Sequence, residues 1–107
     1  MATPHYPPNR DGQSFLALEG SFGALDTPWL REKLSAAVQG EPHDLVIDMR
    51  GVWAISAEAL AVLVGARTRQ KSLHRELTLI YAAQSATESA LIGAGLRGRF
   101  LTVRESA

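Results

Sequence analysis

The residues that most resemble a ligand-binding motif are three glycines near the end of the chain. The run Gly93-Ala94-Gly95-Leu96-Arg97-Gly98 matches G-x-G-x-x-G, which holds a pyrophosphate at the start of a helix in dinucleotide-binding proteins. That chemistry requires a strand before the glycines and a helix after them. Here a helical pattern comes first and a strand-like run follows. We therefore expect these glycines to end a helix and to bind no dinucleotide.

Aspartates and histidines indicate no acid–base pair and no metal site. Asp44 and Asp48 are four residues apart on one predicted strand, so their side chains share a face. A general acid–base pair also needs a partner group and a pocket, and the sequence indicates neither. We expect Asp48 to accept hydrogen bonds from backbone amides after Gly51. The three histidines lack the spacing of a metal site.

Composition excludes several classes of function. Eleven basic and eleven acidic residues give zero net charge, whereas a dedicated nucleic-acid binder needs a basic excess to displace phosphate counterions. The absence of cysteine excludes disulfides, iron–sulfur clusters and thiol catalysis, and it suits a reducing compartment. Hydrolase, Walker A and metalloprotease signatures are also missing. We expect no catalysis, no cofactor, no metal and no nucleic-acid partner.

Length and hydropathy predict a small cytoplasmic protein of one domain. The chain has 107 residues, which suits a single domain over 1–107 with a Pro-rich edge segment over 1–13. Its first residues lack the apolar core of a signal peptide. The most apolar stretch, 57–66, is too short to cross a bilayer and contains Glu58, so we expect no direct membrane insertion.

Turn and cap residues place the first elements. Asp11-Gly12 predicts a hairpin turn that leads into a strand over 14–18, which we expect the glycines at 20 and 23 to end. Thr27-Pro28 predicts the start of a helix, with threonine as N-cap and proline at the first helical position. Apolar residues at helical spacing continue this helix to about Gln39.

The second half of the chain alternates strands and helices. Ser56 is predicted to cap the second helix, and Ser85 with Glu88 forms a capping box before the third. The predicted elements are a central strand over 45–49, a connection over 51–55, a helix over 57–74, a strand over 77–81, a helix from 86 to about 96 and a strand over 100–103. The order β-β-α-β-α-β-α-β predicts a mainly parallel α/β sheet whose Pro-rich first strand lies at an edge or runs antiparallel.

Several segments in this order resemble STAS domains, the family of bacterial anti-sigma factor antagonists. The segments are Leu18-Glu19-Gly20, the run 45–52, the run 75–80, and Leu91-Ile92-Gly93-Ala94-Gly95-Leu96 followed by Phe100. The resemblance covers about residues 14–103. It implies a mixed sheet of four to five strands with helices mainly on one face, and a regulatory, non-catalytic role in binding another protein.

The chain departs from the family pattern where the second helix begins. Antagonists of the family typically carry a phosphorylatable serine there, within Asp-Ser-Ser/Thr-Gly-Leu, whereas this chain has Ser56-Ala57-Glu58-Ala59-Leu60. Alanine offers no oxygen to phosphorylate, so the usual switch cannot operate at Ala57. Either the protein binds its partner constitutively, which we favour, or Glu58 supplies a permanent negative charge. Ser56 as a displaced acceptor is a further hypothesis.

The resemblance also implies where a partner binds and what it is. The implied partner is a kinase-like anti-sigma factor or related regulator, a homodimer is possible, and a small STAS subunit of a lipid-type ABC transporter is the alternative. Trp53 and Phe22 remain open between core packing and partner contact, while Trp29 is expected to be packed. The expected partner-binding residues are Trp53, Ser56, Ala57, Glu58 and Leu60, supported by Asp48, Phe22 and Asp26.

Overall fold

A computed structural model describes residues 13–39 and 44–106. The strands are β1 (Gln13–Phe22), β2 (Asp44–Ile55), β3 (Leu77–Ala82) and β4 (Leu101–Glu105), and the helices are α1 (Thr27–Gln39), α2 (Ala57–Ser72) and α3 (Ala86–Gly93). Short 3-10 turns occupy Ala24–Asp26 and Arg97–Arg99. The predicted first strand and its Asp11-Gly12 turn lie outside the described residues.

The four strands form one sheet in the order β1-β2-β3-β4, and neighbouring strands are parallel. Crossovers between neighbouring parallel strands are right-handed in nearly all proteins, and each connection here leads to the next strand along the sheet. Because every step moves in the same direction, α1, α2 and α3 all lie on the same face. This arrangement confirms the predicted α/β class, the strand number and the helices on one face.

The core fills the space between the sheet and this helical layer. Leu45, Ile47 and Met49 of β2 point into it and are almost completely buried, and Leu77 and Leu79 of β3 pair beside them. Val46, on the opposite face of the sheet, is buried as well. Burial on both faces confirms that the apolar run at 45–49 forms a central strand. The helices contribute Leu30, Leu34, Leu60, Leu63 and Leu91 to this core.

The prediction that β1 ends at Leu18 and that 51–55 is a connection was wrong. The two strands remain paired until Phe22 lies beside Ile55. Two register shifts within this pairing absorb the irregular residues, and Gly20 has a φ of 99° that other residues rarely adopt. A Cβ at Gly51 would lie 2.9 Å from Cγ of Glu19. The glycines therefore permit the long pairing instead of ending it.

The structure also corrects several helix ends. Thr27 is the first residue of α1 and not its N-cap, because the preceding 3-10 turn makes the entry and Asp26 accepts a hydrogen bond from the Gly23 amide at 2.8 Å. The second helix ends at Ser72, since His74 has a left-handed φ of 57°. The third ends at Gly93 and is followed by Gly95 at a φ of 69°. The prediction that the glycine run ends a helix is confirmed.

One ion pair ties the start of α3 to β4. Glu88 caps the turn before α3 by accepting from the Gln84 amide at 3.0 Å, and it is also hydrogen-bonded to the Arg104 guanidinium. The hydrogen bond from Arg104, followed by that from Gln84, holds the pKa of the Glu88 carboxyl below its ordinary value. The predicted N-cap is present too, because the Ser85 hydroxyl accepts from the Glu88 amide.

This ion pair predicts an acid-sensitive contribution to stability. Since the pKa of Glu88 is lower in the folded state, its stabilisation is fully present above the ordinary value of 4.5 and is lost as the pH falls below it. Urea unfolding at pH 7 and pH 3 should show a smaller loss of stability for Glu88→Gln than for the natural chain. Glu32→Gln, at an exposed position on α1, is the matched control. An equal loss in all three proteins would contradict the assignment.

Candidate docking site

The carboxyl ends of β1 and β2 position the start of α2. Phe22 pairs with Ile55 at the end of the two strands, and the Ser56 amide donates to the Phe22 carbonyl oxygen at 2.8 Å. The sheet therefore holds the residue that caps the helix. Functional residues of parallel α/β folds commonly occupy this edge, beyond the carboxyl ends of the strands.

Ser56 is the N-cap of α2, as predicted. Its hydroxyl oxygen accepts from the Ala59 amide at 3.1 Å, which satisfies one of the free amides of the first turn. Ala57 and Glu58 follow in this turn, and both are exposed. The methyl group of Ala57 therefore faces solvent, and the Glu58 carboxylate lies near the partial positive charge of the helix N-terminus.

Three large apolar side chains are exposed near this helix start. The 3-10 turn that carries Leu25 contacts α2, and the Leu25 side chain is 96% exposed. Trp53, at the end of β2, is 71% exposed. Trp29 is 49% exposed, and its ring stacks on Phe22 with 6.0 Å between centroids. We define the docking edge as Leu25, Trp29, Trp53, Ala57 and Glu58.

The remaining residues expected at the site have other positions. Phe22 and Leu60 are each 5% exposed and pack in the core. Phe22 thus supports Trp29 from below, and Leu60 anchors the first turns of α2. Asp26 is exposed, but its carboxylate accepts from the Gly23 amide and shapes the turn that presents Leu25. Burial thus resolves the alternatives left open above: Trp53 faces solvent and Phe22 belongs to the core. Trp29 is less packed than expected.

We expected Asp48 to accept hydrogen bonds from backbone amides after Gly51, and this expectation was wrong. Both carboxylate oxygens of Asp48 accept hydrogen bonds from Arg50 instead. The guanidinium of Arg50 donates to Asp48 Oδ1 at 2.8 Å and to Oδ2 at 2.5 Å. It also donates to Glu105 Oε1 at 3.1 Å, which bridges β2 and β4 across β3. Burial opposes ionisation of Asp48, but the hydrogen bonds from Arg50 outweigh it and hold its pKa below the ordinary value. An ionised carboxylate that is paired with an arginine in this way has a structural role and is a poor general base.

The sequence indicated the loop over residues 20–26 as part of the docking surface without singling out Leu25, and the exposure of Trp29 was not expected. One signal was available for Leu25, because it precedes the helix start at Thr27-Pro28 and so lies outside the apolar stripe of α1 formed by Leu30, Leu34 and Val38. The exposure of Trp29 has no comparable signal. Among residues 13–39 and 44–106, no group of three or more His, Cys, Asp or Glu side chains could hold a metal ion.

Exposed tryptophans such as Trp29 and Trp53 are typical of protein-binding surfaces. The family model described as "Mlab, STAS domain" matches residues 8–103 of the chain. The chain therefore belongs to the STAS domain family, and the resemblance drawn from its segments is confirmed. STAS domains are generally non-catalytic modules for regulation and protein binding.

One comparison and one structural finding are negative. No curated protein matches the chain. In the part of the chain that the structure describes, no helix has the length and apolar character needed to cross a bilayer.

The burial of Phe22 and the exposure of Trp53 predict effects of very different size on stability. Phe22→Ala should lower the free energy of unfolding by roughly 3–5 kcal/mol, because it leaves a cavity beneath Trp29. Trp53→Ala should change it by no more than about 0.5 kcal/mol, since its side chain has little contact to lose. Urea unfolding followed by circular dichroism measures both. A large loss for Trp53→Ala would show that this ring packs in the core and would remove it from the docking edge.

Proposed function

We propose that this protein is a non-catalytic regulatory adaptor, related to the anti-sigma factor antagonists, that binds a protein partner through the docking edge without a serine phospho-switch. The observation that carries the proposal is the start of α2. Ala57 is exposed there, at the position where the resemblance to family antagonists puts the phosphoacceptor, and Trp29 and Trp53 are exposed as well. The proposed partner is a kinase-like anti-sigma factor or a related regulator.

The apolar side chains of the docking edge have the properties of binding hot spots. Tryptophan buries a large area on binding and loses little conformational entropy, and it is enriched among residues that dominate interface energies. Trp29 is already held by its stacking on Phe22 and by the Lys33 ammonium, 5.7 Å from its ring centroid. The backbone at Leu25 is part of a turn that the Asp26 carboxylate closes by accepting from the Gly23 amide. A partner would therefore meet a preorganised surface.

The charges of the docking edge favour constitutive binding over a permanently modified state. A phosphate adds about −1.5 to −2 charges and three acceptor oxygens, whereas the Glu58 carboxylate adds about one charge. The Glu58 carboxylate also lies close to the helix N-terminus, which attracts negative charge. We infer that the net charge of the docking edge is closer to that of an unphosphorylated family antagonist than to that of a phosphorylated one.

Ser56 is the one hydroxyl at the start of the helix, and its oxygen is already engaged with the Ala59 amide. We expect it to stay unmodified. Intact-mass measurement of the chain after co-expression with the kinase-like partner tests this. A stoichiometric gain of one phosphate on Ser56 would reinstate a displaced switch and would contradict the proposal.

A second candidate function is a small STAS subunit of a lipid-type ABC transporter. The observation that favours it is the description of the matching family model, which names Mlab and not an anti-sigma factor antagonist. This function also requires a stable protein–protein contact and no catalysis by the chain. The docking edge serves either role, so the two candidates differ in the partner.

Affinity capture of the full chain from native lysate, followed by mass spectrometry, separates the two candidates. A kinase-like anti-sigma factor supports the adaptor, and an ABC ATPase with its permease supports the transporter subunit. Replacing Leu25 and Trp53 together by alanine should remove the captured partner. Ile92→Ala is the matched control, because it truncates an exposed apolar side chain on α3. Equal capture by all variants would exclude the docking edge as the interface.

Substitutions at Ala57 test whether only the acceptor is missing from an intact switch. Ala57→Asp places a charge at a helix start that tolerates it, so folding should be unaffected, while affinity for the captured partner should fall by roughly ten-fold or more. Ala57→Ser should restore phosphorylation by a kinase-like partner and release it when modified. Ala36→Asp, at an exposed position on α1, controls for added charge. Unchanged affinity for Ala57→Asp would place the interface elsewhere.

A further inference from the structure

A groove separate from the docking edge runs between α1 and α2 on the outer surface of the helical layer. It has a volume of about 450 Å³, within the usual range of ligand-binding clefts. Leu34 and Val62 are buried at its floor. On the α2 side the groove is lined by the small, exposed residues Ala61 and Gly65. A Cβ added to Gly65 would meet no atom within 4 Å. The groove therefore has room for another backbone to approach α2 closely.

An arginine lies at each end of this groove. Both helices return from the carboxyl end of one strand to the amino end of the next, so they run in the same direction. Arg31 comes before the apolar lining residues on α1, and Arg69 comes after those on α2. The lining on α2 from Ala61 to Arg69 spans about 12 Å at the rise of an α-helix. The two guanidinium groups therefore bracket the groove.

These arginines are available to a partner. Ion pairs in the range 13–39 and 44–106 involve Arg50 and Arg104, and neither Arg31 nor Arg69 takes part in one. Both side chains are exposed, and no carboxylate lines the groove. A groove with an apolar floor and a cation at each end complements an apolar stripe with an anion at each end. Helix-in-groove recognition presents such a stripe.

We propose that the α1–α2 groove binds an amphipathic helix of a partner protein, with small or medium apolar residues on one face and carboxylates about two helical turns apart. Two helical turns advance about 11 Å, close to the separation of the groove ends. Ridges of the incoming helix would pack into the groove between the two helices. A single anionic headgroup would engage one end and leave the other arginine unused. The spacing therefore favours a helix with two acidic positions.

The test uses the full chain and a pair of synthetic helical peptides of about 18 residues. Both peptides carry a Leu/Ala stripe; one has Glu two turns apart and the other has Lys at the same positions. Fluorescence anisotropy should show tighter binding of the Glu peptide by about ten-fold, because two ion pairs are gained. The double variant Arg31→Glu, Arg69→Glu should prefer the Lys peptide. Lys71→Glu reverses a charge in the same last turn of α2 outside the groove, and it should keep the natural preference.

A steric variant gives an independent measurement. Gly65→Leu should fill the groove and abolish peptide binding while retaining or raising the stability of α2, because leucine favours a helix more than glycine does. Gly65→Ala should bind nearly as the natural chain does. Trp53→Ala should leave peptide affinity unchanged, which separates this proposal from the one about the docking edge.

Three results would overturn the proposal. The first is equal affinity for the Glu and Lys peptides, and the second is undiminished binding by Gly65→Leu. The third is binding of sodium laurate below its micellar concentration, with dependence on Arg31 and Arg69, when neither peptide binds. That last result would assign the groove to an anionic amphiphile.

Discussion

The long parallel pairing of β1 with β2 is the constraint on which the rest of the structure depends. It carries the two strands past the point where the core strand would otherwise end, and it brings the Ser56 amide to the Phe22 carbonyl oxygen. The start of α2, the exposed end of β2 and the turn before α1 are therefore held at one edge. Without that pairing, these segments would be independent loops, and their apolar residues would lack a common surface.

The irregular residues of this pairing are what make it possible. Gly20 adopts a positive φ between the two register shifts, and Gly51 lets the backbone of β2 pass close to Glu19. Register shifts of this kind redirect the side chains that follow them. Trp53 is the residue of β2 left without a partner at the second shift, because Val52 pairs with Gly20 and Ala54 pairs with Ser21, and its side chain is exposed. An irregularity in strand pairing is therefore associated with the exposed side chain of Trp53.

The elements with strong local signals were predictable, and the strand conformation of residues 51–55 was not. The caps at Ser56 and Ser85 mark their helices because a hydroxyl oxygen satisfies free amides, and the run at 45–49 indicates a central strand because it is apolar on both faces. By contrast, residues 51–55 contain a glycine and lack alternation, so local pattern alone favours a connection. Their strand conformation depends on the partner β1, which is distant in sequence. Tertiary pairing overrides local preference here.

The candidate site shows the same division. The position of Ala57 at the first turn of α2 follows from its neighbours Ser56 and Glu58, so it could be placed in advance. The burial of Phe22 and the exposure of Trp53 depend on the two register shifts between β1 and β2. One shift changes the face that every residue beyond it presents. The side chains that a partner would contact are therefore fixed by the fold and not by their immediate sequence.

The docking edge holds both tryptophans of the chain, which makes fluorine NMR of the 5-fluorotryptophan-labelled protein a direct test of the central claim. The free protein should give two resonances, both sensitive to solvent. On addition of the captured partner, the Trp53 resonance should shift or broaden strongly, and that of the half-buried Trp29 should follow it. Saturating binding that leaves both resonances unchanged would show that the partner contacts another surface, and it would contradict the account.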